Sequence, residues 1–193
     1  MAETIIGVFL EQAERRASAP FLHHWQGSAW EELSWSECRA RVVRIGAALV
    51  AEGVGAGEAV VLLSENRVEW ILADLGIQAA AGVTVPVYAT STPETIAKIV
   101  ANCQARLSIV GATKLAANLP SGVKVVEMDR ELAQWTAGDP PALLTATSRP
   151  PTDATASARR RRWRGSATSP GIAVTEPARP SRCLLYTSPS PRD

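Results

Sequence analysis

The sequence predicts an α/β fold: a mostly parallel sheet with flanking helices, preceded by a helix and a β-hairpin and followed by a disordered C-terminal tail. Three observations predict it. Between Ala59 and Met128, short apolar runs alternate with helical patterns, the signature of βαβ units. The strand runs, Ala59–Ser64 and Val83–Val87 among them, are nearly continuous in Val and Leu, as in strands covered on both faces. From Ala146 onward both periodicities disappear.

The charge divides at the same place. Residues 146–193 hold nine arginines against three acids, a net of +6. The first 145 residues hold eleven basic against sixteen acidic side chains, a net of −5. Seven of the 13 prolines also fall in the tail, where Ile172, Val174, Leu184 and Leu185 are the only Leu, Ile or Val. Such a segment cannot bury enough apolar surface to offset its ordering entropy. The reading is therefore a folded unit over 1–145 and a disordered tail over 146–193. Cys38, Cys103 and Cys183 are odd in number and form no C-x-x-C, which fits a reduced, cytoplasmic protein with Cys38 and Cys103 as small core residues. Glu3 stands where a secretory signal carries basic residues. The most apolar stretch, Leu72 to Ala89, is broken by Asp74, Gln78, Gly82 and Pro86, and reads as a core helix followed by a buried strand rather than a membrane span.

Taken in order, Thr4 to Arg16 forms an amphipathic helix with Ile5, Val8, Phe9, Gln12 and Ala13 along one side. Phe21–Trp25 and Ala29–Ser34 form a hairpin around Gln26, Gly27 and Ser28. His23 and His24 are adjacent, so a strand sends them to opposite faces, and no third ligand is near enough in sequence to complete a metal site. Ser34 and Glu37 have the spacing of a capping box, opening a helix to about Glu52 with Gly53 just beyond its end. Gly53, Gly55 and Gly57 imitate a dinucleotide fingerprint, but that motif follows a strand and opens a helix; these glycines follow a helix and lead into a strand. They predict a turn.

Ser64, Glu65 and Asn66 then cap a helix from Arg67 to Ala81, with Val68, Ile71, Leu72, Leu75 and Ala79 on one side. Pro93 to Gln104 is helical, capped at Thr92 or Ser91, with Ile96, Ile99, Val100 and Cys103 inward. Leu107–Val110 and Val123–Val126 are strands, and Thr113–Asn118 and Asp129–Trp135 short helices. Gly138 to Pro141 ends the structure. Strand-to-helix turns on the carboxyl edge of a parallel sheet are where ligands usually sit. By position, the candidate site residues are therefore Glu65, Asn66 and Arg67 on one turn and Tyr88 to Thr92 on the next.

The order of these pieces carries a family resemblance. Leu33–Glu37, the helix to Leu49, the turn with Gly57 to Val61, and Ser64–Trp70 resemble the start of adenylate-forming, AMP-binding enzymes. Ala79–Gly82, Val85–Tyr88, Thr90–Glu94 and Ala105–Val110 continue the match. The Val-Pro-Val-Tyr and Thr-Ser-Thr-Pro-Glu wording is most like the long-chain fatty-acid acyl-CoA synthetases. The resemblance covers about residues 4–135. It implies a ligase that joins a carboxylate to AMP with loss of pyrophosphate and then passes the acyl group to coenzyme A. ATP, Mg²⁺ and coenzyme A are the cofactors implied for such an enzyme, with a fatty acid or other carboxylate as substrate and peripheral membrane association left open. The family's phosphate loop, its later acidic motifs and its C-terminal lysine are absent from the sequence. Tyr186–Ser188 imitates the loop's start, but Pro189 follows where glycine is needed, and no Lys occurs after Lys124. No catalytic, cofactor-binding or metal-ligating residue is carried over, and none of these cofactors is expected to bind this stretch tightly.

The tail begins about where that loop should approach. Its Arg-, Pro-, Ala-, Ser- and Thr-rich composition is what an out-of-frame reading of a GC-rich gene gives, and Cys183–Asp193 resembles translated adapter sequence. The expectation is an inactive N-terminal fragment with a frame-shifted end. Two alternatives compete with it. One is another α/β nucleotide-binding domain acting through the two carboxyl-edge turns. The other is a nucleic-acid-binding module acting through Arg159–Arg164.

Overall fold

A computed structural model describes residues 4–25 and 27–137. The tail from 146 on, with Arg159–Arg164 and the Tyr186–Pro189 stretch, lies outside the described residues, as does the Gly138–Pro141 stop.

Helix α1 spans Ile5–Arg15, and Thr4 caps it by accepting from the Gly7 N–H at 3.1 Å. Its buried stripe is Ile6, Phe9 and Ala13. Ile5 and Val8, expected inside, are 72% and 48% exposed. The physical reason is the core on which the helix packs, which takes in Ile6 with Phe9 and so turns Ile5 outward. The Phe9 ring lies 5.4 Å from Phe21 and 5.7 Å from Trp35.

Strands β1 (Pro20–Trp25) and β2 (Trp30–Ser34) form the expected antiparallel hairpin, closed at its tip by the Trp25–Trp30 pair. Helix α2 (Trp35–Ala51) opens with a complete capping box. Ser34 Oγ accepts from the Glu37 N–H at 3.3 Å, and Glu37 accepts from the Ser34 N–H at 2.8 Å. The Ser34 hydroxyl also donates to the Glu37 carboxylate at 2.6 Å, and this bond, followed by the one from the Ser34 N–H, holds the Glu37 carboxyl below its ordinary pKa. Gly53 follows the C-cap with φ +85°.

The main sheet has the order β4-β3-β5-β6, every pair parallel, with β3 at Ala59–Ser64, β4 at Val83–Tyr88, β5 at Leu107–Val110 and β6 at Lys124–Glu127. Alternation along β3 divides the core into two layers. Val60 and Leu62 face α1, α2 and α3 (Val68–Ala79); Val61 and Leu63 face α4 (Pro93–Cys103) and α5 (Thr113–Ala116). All four are fully buried, and each such side chain contributes roughly 1.5–3 kcal/mol of transfer free energy. Strand β4 corrects the expectation of a strand buried on both faces. It lies at the edge, Val83 is 50% and Tyr88 84% exposed, and Val87 alone of its residues is buried. An edge is also where Pro86, lacking an N–H for the ladder, is tolerated.

A second correction concerns α3. Arg67, not Ser64–Asn66, is its N-cap, and no side chain caps it. Ser64 completes β3 in a buried position and turns its hydroxyl to the Glu65 carbonyl at 2.9 Å. Helices α2 and α3 pack closely at Gly76, where an added Cβ would lie 2.7 Å from Ile45 Cβ. Thr92 caps α4, as expected, accepting from the Thr95 N–H at 3.3 Å. After β6, a π-helical turn (Met128–Leu132) runs into α6 (Ala133–Thr136), and Met128 and Leu132 bury against the α2 layer. Cys38 and Cys103 are free; Cys38 is fully buried and desolvation pushes its thiol up to about 11, while Cys103 is half-buried. Among the described residues no helix is long and apolar enough to cross a membrane.

Candidate functional site at the carboxyl edge of the sheet

The order β4-β3-β5-β6 reverses direction between β3 and β5. The connection leaving β3 goes one way and the one leaving β5 the other, with helices on opposite faces. In open α/β sheets that reversal opens a crevice at the carboxyl ends of the two strands. Here the crevice lies between Ser64–Arg67 and Gly111–Thr113.

The chain's own groups close it. The Gly111 N–H donates to the Leu63 carbonyl at 2.9 Å, and Gly111 packs so tightly on Ser64 that an added Cβ would overlap the hydroxyl and sit 2.7 Å from Ser64 Cβ. Arg67 spans the gap. Its guanidinium donates to the Gly111 carbonyl at 3.0 Å, to Asp129 at 2.6 Å and to Glu69 at 2.6 Å. The hydrogen bonds to Asp129 and then Glu69 raise the Arg67 pKa further. Burial pushes the Glu69 carboxyl up, but the Arg67 hydrogen bond and its own backbone N–H outweigh that and leave it below the ordinary value. Nearby, Thr113 Oγ1 donates to Glu127 at 2.9 Å, and Glu131 accepts from the Glu127 N–H at 2.9 Å, a bond that lowers the Glu131 pKa.

The two turns singled out by position are neighbours, because Ser64 and Tyr88 are partners in register. Their side chains have different fates. Arg67 is drawn into the knot just described, whereas Glu65 and Asn66 are exposed. Tyr88 stands in solvent, the Ser91 N–H closes the turn onto the Tyr88 carbonyl at 3.0 Å, and Thr92 is occupied as a cap. Asp129 and Gly111 escaped the sequence reading, since they lie 62 and 44 positions from Arg67 and no spacing links them; Glu69, only two positions away, carried no signal of its own.

The glycine turn sits at the opposite, amino edge. Gly57 donates to the Ala81 carbonyl at 2.6 Å, and the Gly55 N–H is taken by the Glu58 carboxylate at 3.0 Å. A carboxylate of the protein thus stands where a phosphate oxygen would be needed. His23 and His24 each face a carboxylate across the hairpin, Glu32 at 3.2 Å and Glu31 at 3.7 Å. No three His, Cys, Asp or Glu side chains converge on a metal position among the described residues.

The sequence pattern of the AMP-binding enzyme family matches residues 9–190. The chain belongs to the AMP-binding enzyme family. Its relatives include the long-chain-fatty-acid–CoA ligase ACSBG2 of Mus musculus, 30% identical over 107 residues, which are 55% of this chain and 16% of the relative. The long-chain-fatty-acid–CoA ligase FadD15 of Mycobacterium bovis is 33% identical over 76 residues, 39% of this chain and 13% of the relative. Among solved structures, the AMPPNP-bound nonribosomal peptide synthetase FmoA3 superposes with a TM-score of 0.62 at 26% identity, over 73% of this chain and 15% of that one. The chain therefore spans about one-sixth or less of the length of these AMP-binding relatives.

Proposed function

We propose that this chain is the N-terminal part of an ATP-dependent ligase of the long-chain-fatty-acid–CoA type, and that as written it supports no turnover. The observation that carries the reading is the family match together with two relatives whose names specify that activity. In the whole enzyme a fatty-acid carboxylate would attack the α-phosphate of ATP, release pyrophosphate, and pass from the acyl-adenylate to the thiol of coenzyme A. Developing phosphate charge in such a step calls for Mg²⁺ and convergent donors.

The described residues do not fit ATP or Mg²⁺. The guanidinium at the crevice is committed to Asp129, Glu69 and the Gly111 carbonyl, the glycine turn lies at the wrong edge, and three metal ligands do not converge among the described residues. No chemical step is assigned to them. What this part would contribute to the whole enzyme is a sheet packed on both faces. The frame-shift reading of 146–193 belongs to the same proposal.

ATP–pyrophosphate exchange tests it. This chain gives no exchange with any carboxylate. The protein encoded once the frame through codons 140–193 is restored and extended gives exchange dependent on fatty acids. Exchange driven by amino acids instead would sink the fatty-acid assignment. ATP- and acyl-dependent turnover by the present chain would sink the claim of an incomplete site.

A further inference from the structure

Tryptophan side chains are large and highly buried on average. Trp35, Trp70 and Trp135 follow that rule and pack against the larger core layer. Trp25 and Trp30 do not. They face each other across the end of the β1–β2 hairpin and are 55% and 67% exposed. Their ring centroids lie 5.7 Å apart and their planes meet at 68°. Two exposed indoles held at that angle form the walls of an open corner, and each wall presents the negative face of a π system. The charge beside the corner has one sign. No Lys or Arg occurs between Arg16 and Arg39. His23 and Glu32 are partners two residues along each strand from the indoles, and so stand on the same outer face. Both are exposed, and His23 Nδ1 approaches Glu32 Oε1 at 3.2 Å. Glu31 and His24 lie on the opposite face, with Leu22 and Leu33, which pack on the core.

We propose that Trp25, Trp30 and Glu32 form a binding site for a trimethylammonium group. A roughly spherical cation can touch both walls of a corner at 68°, whereas a planar guanidinium stacks on one of them. A quaternary nitrogen carries no N–H and is weakly hydrated, so it leaves water at less cost than the ammonium of a lysine. The Glu32 carboxylate attracts such a cation through its field alone, without having to accept a hydrogen bond from it. The same acid, with no Lys or Arg near it in sequence, disfavours an anionic surface. Free choline and the headgroup of phosphatidylcholine both carry this group. The site stands apart from the ligase reading, since it uses none of the residues at the carboxyl edge of the main sheet.

The test is a titration of the full chain with choline chloride, read as tryptophan fluorescence against sodium chloride at the same ionic strength. Each exposed wall adds a modest attraction, so half-saturation is expected on the order of 10 mM. Trp25→Ala or Trp30→Ala abolishes the response, and Glu32→Gln weakens it about threefold. Both indoles are exposed, so these variants keep the parent's melting temperature, which separates loss of the site from loss of the fold. The uncharged isostere 3,3-dimethyl-1-butanol gives no saturable response. Co-sedimentation with phosphatidylcholine vesicles but not phosphatidylglycerol vesicles, lost in Trp30→Ala, assigns the group to a lipid headgroup; a choline response without co-sedimentation assigns it to a free solute. An equal response to the isostere, a response that survives Trp30→Ala, or no response to either choline or phosphatidylcholine overturns the proposal.

Discussion

At the amino end of the sheet Arg106 pairs with Glu58 at 2.7 Å and Lys124 pairs with Glu52, one bond for each cation. At the carboxyl end Arg67 alone makes four hydrogen bonds, to two carboxylates and one backbone carbonyl. Both ends use arginine or lysine against acids, and some partners at each end lie largely in solvent. The difference is convergence. Arg106 and Lys124 each hold one flexible side chain to another, an arrangement worth little in water. Arg67 ties α3, the loop after β5 and the turn after β6 to a single planar group, so its geometry is shared by three backbone segments.

The comparison is sharpened most by Arg67→Ala. Removing the guanidinium leaves Glu69 half-buried without its partner and frees the Gly111 carbonyl. A cost of about 2 kcal/mol is expected in urea unfolding, below the figure for a fully buried pair because Asp129 is mostly exposed. A loss under half of that would reduce the knot to an ordinary surface cluster.

Acid should act next. The Glu69, Glu37 and Glu131 carboxyls all sit below their ordinary values in the folded chain. Groups depressed on folding contribute stability that is fully present above the unfolded pKa, about 4.3, and is lost as pH falls through the folded values. The melting temperature should therefore drop between about pH 5 and pH 3, and Arg67→Ala should drop less, since the Glu69 share is already gone. Parallel acid curves for parent and variant would detach Glu69 from the knot.

The smallest effect belongs to the amino end. Arg106→Ala should cost about 0.3 kcal/mol, and less at 0.5 M salt. A cost matching that of Arg67→Ala would abolish the distinction between the two ends.

Much of the fold was legible because its signals are local. Ser34 with Glu37, and Thr92 before Pro93, announce helices within four residues, and the strand runs of β3 and β5 state their burial in Val, Leu and Ile. The errors arose where a distant partner decides. On α1 two stripes compete, sharing Phe9 and Ala13 and differing in Ile5 against Ile6; the core of α2, α3 and β3 on which the helix packs selects Ile6. Strand β4 reads like β3 in sequence, yet edge position is a property of the sheet order. The knot was half legible: position on the carboxyl edge pointed to Arg67, while Asp129 and Gly111 come from other strand ends that only the folded sheet brings near.

Strand β3 is the first strand of the sheet to be synthesised and sits between β4 and β5. Its second neighbour is complete only at Val110, roughly 46 residues after Ser64, which is about 2–9 s of translation. For that interval the fully apolar run Val60–Leu63 can pair on one side at most, with no ladder on the other. Parallel pairing across such distances is also slow to nucleate. A nascent chain of this order therefore exposes its stickiest strand longest, and its yield in cells should depend on elongation rate and on chaperones that shield short aliphatic segments.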